Sequence, residues 1–311
     1  MSAPDDADVA AAAEALRAGG LVILPTETVY GLAADAGDPG AIARIFEAKG
    51  RPRFNPLIAH VSGRGMAEAI ADLPPAAIRL AEAFWPGPLT LVVPIRDRRA
   101  VCDLARAGLD TVAVRTPAHD LARALIDRFG GPVCAPSANR SGRPSPTTYA
   151  DALEETGAAA AAALDGGPCR VGLESTVVAV AEGEARLLRP GGLERAAIEA
   201  VVGPLAESAA DAHRSPGRLA LHYAPDAPVR LDATAPRPGE AWLAFGPAED
   251  GPLIFNLSPA GDLREAAARL FAALRAADRL KPVAIAVAPI PGHGLGEAIN
   301  DRLRRAAGHI G

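Results

Sequence analysis

Apolar and polar positions alternate along this chain in two periods, and the periods divide it into two unequal stretches. In the first, apolar runs of strand length are interleaved with helical patterns. Ala7–Ala18 predicts an alanine-rich helix stopped by Gly19 and Gly20. Leu21–Leu24 predicts a buried strand, and Asp38 is placed to cap a helix through Ala41–Ala48. Leu57–Val61, Leu89–Pro94, Thr111–Arg115 and Val133–Ala135 read as strands, with helices over Pro75–Phe84 and Asp120–Arg128. Ser175–Val180 and Ala185–Arg189 pair as a hairpin about Glu182-Gly183, and Leu193–Val201 closes the stretch as a helix.

The periodicity lapses from Gly203 to Pro228, where prolines and a short Ala/Ser/Asp run read as a linker. A second α/β pattern follows. Ala241–Phe245, Leu253–Asn256 and Val283–Ala288 predict strands, and Leu263–Ala277 and Leu295–Ala307 predict helices. Strand–helix–strand order predicts a small parallel sheet. The expected organisation is a domain over 1–202, a linker over 203–228 and a small α/β domain over 229–311.

Composition narrows this only a little. The 311 residues are 49% hydrophobic and 22% charged, as in ordinary soluble globular proteins. No apolar run is long enough to span a membrane. The acidic opening Met1-Ser-Ala-Pro-Asp-Asp6 is unlike an export signal, so the expected location is the cytoplasm. Cys102, Cys134 and Cys169 are widely spaced and odd in number, which predicts reduced, buried thiols and no metal site. A net charge of −5 excludes a polyelectrolyte binder as a whole and leaves room for a local basic surface. Of 32 basic residues only Lys49 and Lys281 are lysines, a bias that reads as compositional drift.

Five segments set polar residues and glycines beside predicted strands, where sites usually sit. They are Pro25-Thr-Glu-Thr-Val-Tyr-Gly-Leu32, Lys49-Gly-Arg-Pro-Arg-Phe-Asn-Pro56, Thr111-Val-Ala-Val-Arg-Thr-Pro117, Ala135–Thr147, and Gly172-Leu-Glu-Ser-Thr-Val177 with Leu188-Arg-Pro-Gly191. Three cations within five positions, stiffened by two prolines, suit a polyphosphate in the second segment. Each segment alone also reads as an ordinary decorated loop. None is a P-loop, a dinucleotide fingerprint, a zinc site or a hydrolase elbow, and His119 and His309 read as bystanders.

Together with Trp85-Pro-Gly-Pro-Leu-Thr90, these blocks make the chain resemble the YrdC-like family, the threonylcarbamoyl-AMP synthases, in its long two-domain form. The resemblance implies an α/β fold: an N-terminal twisted mixed sheet with flanking helices, and a smaller Rossmann-like C-terminal α/β domain. It implies a nucleotidyltransferase that joins L-threonine, bicarbonate and ATP, with Mg²⁺, into threonylcarbamoyl-AMP and pyrophosphate. The product would pass to a separate complex that modifies a tRNA adenosine, and the family's link to tRNA implies a weak contact with double-stranded RNA.

By matching motif, the resemblance assigns Thr28, His60, Arg115, Ser175 and the Ala135 backbone to threonine. Arg51, Asn55, Thr111, Ser137, Ser145, Arg189 and Tyr223 go to ATP, and Lys49 with Arg51 to catalysis by charge neutralisation. Tyr223, in His222-Tyr-Ala-Pro225, implies that the linker is a lid, although Arg218-Leu-Ala-Leu221 stands where many relatives carry more basic and aromatic residues. The five segments hold Lys49, Arg51, Arg53, Arg115, Arg143 and Arg189 against Glu27 and Glu174. That excess favours electrostatic positioning over carboxylate acid–base work. Rival readings are an RNA-binding module without catalysis, the carbamoyl-adenylate chemistry of hydrogenase maturation, and a metabolite-binding regulator. Aromatics at only 4% and an acidic chain weigh against the first, and the lack of cysteine pairs against the second.

Overall fold

The computed structural model describes residues 6–52, 54–181, 183–206 and 223–308. The first stretch folds, in chain order, as α1 (Asp6–Arg17), β1 (Val22–Leu24), β2 (Gly31–Asp35), α2 (Pro39–Lys49), β3 (Ile58–His60), α3 (Arg64–Ile70), α4 (Pro75–Phe84), β4 (Leu89–Pro94) and α5 (Asp103–Arg106). It continues through β5 (Thr111–Arg115), α6 (Asp120–Phe129), β6 (Val133–Cys134), α7 (Tyr149–Thr156), β7 (Ala162–Ala163), β8 (Thr176–Ala181), β9 (Glu184–Arg189) and α8 (Arg195–Val202). The predicted cap is present: the Asp38 carboxylate accepts the Gly40 N–H at 2.7 Å, with Pro39 pre-set at the first helical position.

These strands form one mixed sheet in the order β7-β1-β2-β6-β3-β5-β4-β8-β9. Alternation divides its residues between two faces. Ile23, Leu91, Val93, Val112, Val114 and Val178 enter one large core with α2, α4 and α5. On the other face, Val22, Leu24, Ala33 and Val133 pack against α1 and α6. That second cover reaches only part of the sheet. Beyond it lies a small apolar floor of Ile58, Val92, Ala113 and Val177.

The remaining elements are β10 (Val229–Arg230), β11 (Glu240–Phe245), β12 (Ile254–Ser258), α9 (Leu263–Arg279), β13 (Ala284–Val287) and α10 (Gly296–Ala306). The strands pair in parallel as β10-β13-β11-β12, as the strand–helix–strand order predicted. Their core of Leu243, Leu270, Phe271, Leu274, Ile285 and Ile299 also takes in Val29, Leu173 and Tyr223 from earlier in the chain. The second unit is therefore packed onto the loops at the open part of the first sheet.

Several elements were not foreseen. β2 begins inside the segment read as a loop, because Gly-Leu-Ala-Ala-Asp lacks the β-branched residues that mark strands. α3 has Gly63 at its N-cap and no side-chain cap, and α5 is a single turn. α7 follows the Ala135–Thr147 turn, where Thr148 accepts the Asp151 N–H. The short β7 and β10 had no periodic signal to find.

Candidate functional site

Between the open sheet face and the second unit lies a narrow cleft. Strand ends and turns bring its wall together: Thr28 and Val29 after β1, Arg51 and Pro56 after α2, His60 ending β3, and Arg115 ending β5. Ala135, Pro136 and Ser137 come from the turn after β6, Glu174 and Ser175 from the approach to β8, Arg189 from the end of β9, and Tyr223 from the chain entering the second unit.

One end of the cleft is tightly bonded. Arg115 donates to Glu27 Oε1 at 2.6 Å, to Thr28 Oγ1 at 2.9 Å and to the Gly87 carbonyl at 3.1 Å. Thr26 and Thr28 hydroxyls meet at 2.8 Å, and the Ser175 and Thr90 hydroxyls at 2.7 Å. His60 is buried, and one ring nitrogen lies 3.2 Å from the Ile58 carbonyl. Burial, reinforced by the Arg115 charge, pulls its pKa down to about 3, so the ring is neutral.

The other end carries Arg51 and Arg189. Arg51 reaches only the Pro56 carbonyl, at 3.4 Å, and its Nε has no partner among the described residues. Burial pulls its pKa down to about 10, and Arg189 pushes the same way. Arg189 is itself lowered by burial; its Nη2 donates to the Ser175 carbonyl at 2.8 Å. Glu174 lies in this wall, taking the Ser145 hydroxyl at 2.6 Å and Arg302 Nε at 2.8 Å. Burial raises its pKa, but the Arg302 and Arg189 charges outweigh it and hold the carboxyl below its ordinary range.

The structure thus brings together Thr28, Arg51, His60, Arg115, Ala135, Ser137, Ser175, Arg189 and Tyr223, with Ser145 directly behind Glu174. Asn55 is buried beside Pro56, its Oδ1 without a partner among the described residues. Thr111 does not line the cleft. It pairs with Pro94 at the far end of β5, on the same face as Ala113 and Arg115 and about 13 Å from the latter.

Two expectations need correcting. Lys49 does not face the cleft: it is buried, and its ammonium donates to the carbonyls of Ser137 and Asn139. Gly50, at φ 57°, turns the chain so that Lys49 and Arg51 point to different surroundings. Burial holds the Lys49 pKa well below the usual lysine range, with Arg51 contributing. Arg143 also faces away, pairing with Glu155, Asp226 and Asp278. Arg53, most of the expected lid (207–222, with Ser215-Pro-Gly217 and His222) and His309 lie outside the described residues.

Sequence reasoning gave Glu174 no role and missed Arg302. The second had a signal: in α10 a charged residue occupies the apolar stripe of Ile299, Leu303 and Ala306. Among the described residues no group of three or more His, Cys, Asp or Glu could hold a metal, and both oxygens of Glu174 are engaged.

Fold and site define a two-unit α/β protein with a cleft lined by Arg51, Arg115 and Arg189. The Sua5/YciO/YrdC family model, described as telomere recombination, matches residues 14–191. The model described as "Threonylcarbamoyl-AMP synthase, C-terminal domain" matches residues 193–308. A threonylcarbamoyl-AMP synthase of Pyrococcus abyssi is 42% identical over 96% of this chain and 93% of its own length. One of Bacillus subtilis is 39% identical over 98% and 94%. The crystal structure of P. abyssi Sua5 complexed with L-threonine superposes with a TM-score of 0.89 at 40% identity, covering 97% of this chain and 94% of that one. This chain belongs to the Sua5/YrdC family of threonylcarbamoyl-AMP synthases. No described helix is long and apolar enough to cross a membrane.

Proposed function

We propose that this chain makes threonylcarbamoyl-AMP from L-threonine, bicarbonate and ATP, releasing pyrophosphate. The observation that carries the reading is the division of the cleft into a bonded end around Arg115 and a cationic end around Arg51 and Arg189. Arg115, oriented by Glu27 and Thr28, offers its fork to the threonine carboxylate, with Ser175 and the Ala135 backbone beside it. Arg51 and Arg189 receive phosphates, with Ser137 supplying a further donor and Asn55 behind the loop. The apolar floor of Ile58, Val92, Ala113 and Val177 leads from the cleft toward Thr111, a path for the nucleoside.

The threonine amine adds to the carbon of bicarbonate, and water leaves. A carbamate oxygen then attacks the α-phosphorus and pyrophosphate departs. The protein's part is to bring three anions together, each like-charge pair at 4 Å costing about 4 kcal/mol at an effective dielectric near 20. Any Mg²⁺ arrives on the nucleotide's own phosphates. Lys49 acts by holding the Ser137–Asn139 turn, and Tyr223 stands over the nucleotide end of the cleft. The domain bounds 1–202 and 229–311, a cytoplasmic location and hand-off of the product to a tRNA-modifying complex belong to the same reading.

Pyrophosphate release from ATP by the purified protein is the test. The expected result is release that requires both threonine and bicarbonate. Release indifferent to either one overturns the reading, and salt-sensitive RNA binding without turnover would favour the RNA-binding module.

A further inference from the structure

The second unit places a fully buried side chain, Arg302, against the cleft wall. Arg302 of α10 donates from Nε to Glu174 Oε2 at 2.8 Å and from Nη2 to the Pro190 carbonyl at 3.0 Å. Its Nη1 meets Asp301 Oδ2 at 2.5 Å, and its guanidinium carbon stands 5.2 Å from the centroid of the Tyr223 ring. Glu174 and Tyr223 both line the cleft, and Pro190 follows Arg189. One cation therefore touches three segments of the nucleotide end.

The surrounding backbone is fixed as closely. A Cβ on Gly172 would lie 2.4 Å from Ala268 Cα of α9, and one on Gly191 would lie 2.4 Å from the Glu174 carbonyl oxygen. Residues 172–175 are thus clamped between α9 and the exit of β9. Tyr223 sits at φ 63°, which a bulky side chain adopts only when its surroundings impose it. Those surroundings are the Arg302 guanidinium, Phe271 at 5.4 Å between ring centroids, and the bond from the Ala224 N–H to the Gly142 carbonyl at 2.7 Å.

A carboxylate in the wall of a triphosphate site works against its ligand. Glu174 would repel the phosphates and would also draw Arg189 away from them. Arg302 meets the Glu174 charge from behind, at 2.8 Å, and so offsets it at the cleft wall. We propose that Arg302 is a positioning residue for nucleotide binding: it neutralises Glu174 and seats Tyr223, so the nucleotide end is complete only with the C-terminal unit docked. This inference rests on the reading of the cleft as an ATP site.

The test uses the full chain carrying Arg302→Met, alone and with Glu174→Gln. With Arg302→Met the KM for ATP rises about tenfold or more while kcat and the KM for threonine change by less than about threefold. Adding Glu174→Gln restores most of the ATP KM, and Arg302→Lys gives an intermediate value. A fall in kcat with an unmoved ATP KM marks a merely structural role and overturns the proposal, as does a double variant no better than Arg302→Met. If Arg302→Met does not fold, the cycle of Arg302→Lys with Glu174→Gln is read by the same criteria. Wild-type protein without threonine-dependent pyrophosphate release overturns the ATP-site reading itself. A working wild type with an unchanged Arg302→Met overturns only the role of Arg302.

Discussion

Arg115 and Arg51 lie in one cleft and are held in opposite ways. Arg115 has a carboxylate, a hydroxyl and a carbonyl as partners, all within 3.1 Å. Arg51 has one carbonyl at 3.4 Å and a donor with no partner among the described residues. The first is a pre-set fork, whose orientation is fixed before any ligand arrives. The second is charge kept in reserve, tolerated at a cost that an incoming anion removes. One end of the cleft is built for geometry and the other for electrostatic demand.

The largest expected effect comes from the bonded end. Arg115→Met leaves Glu27 buried and uncompensated, and stability to urea should fall by about 3–5 kcal/mol. Glu27→Gln in the same chain should recover much of it. A loss below about 1 kcal/mol would mean that Arg115 is no better anchored than Arg51 and would break the comparison.

Lys49→Met should cost less, about 1–3 kcal/mol by chemical denaturation, because it strips the donor from the Ser137 and Asn139 carbonyls. It should also weaken ATP binding through the displaced turn. Unchanged stability with lost turnover would return Lys49 to the chemistry.

Near neutral pH the smallest effect is the titration of His60, and it grows with acid. The folded pKa of His60, about 3, lies below the ordinary value of 6.5. The unfolded chain therefore binds the extra proton first. The His60 penalty is absent above pH 6.5 and grows as pH falls toward 3, by about 1.4 kcal/mol per unit. His60→Gln should flatten the stability–pH curve between those limits, as read by urea midpoints at successive pH values. An unchanged slope would show that His60 is not held neutral beside Arg115.

Much of this architecture was legible in the chain. Pro75–Phe84 and Leu89–Pro94 fold over the predicted spans, since a proline at the first helical position and an apolar strand pattern are local signals. Arg51, Arg115 and Arg189 converge as their motifs implied. The facing of Lys49 and Arg51 was not legible, because two cations separated by a left-handed glycine are directed by what packs around them. Nor was the exclusion of Arg143, whose carboxylate partners at 155, 226 and 278 lie far along the chain. Arg302 could have been noticed as a charge on an apolar stripe, but its target, Glu174, is 128 positions away.

The most direct test of the contrast is Arg51→Met, measured for unfolding stability and for threonine-dependent pyrophosphate release on one preparation. The account predicts stability unchanged or raised by up to about 1 kcal/mol, with release reduced at least about 100-fold. Stability falling in step with activity, or activity retained, would contradict it.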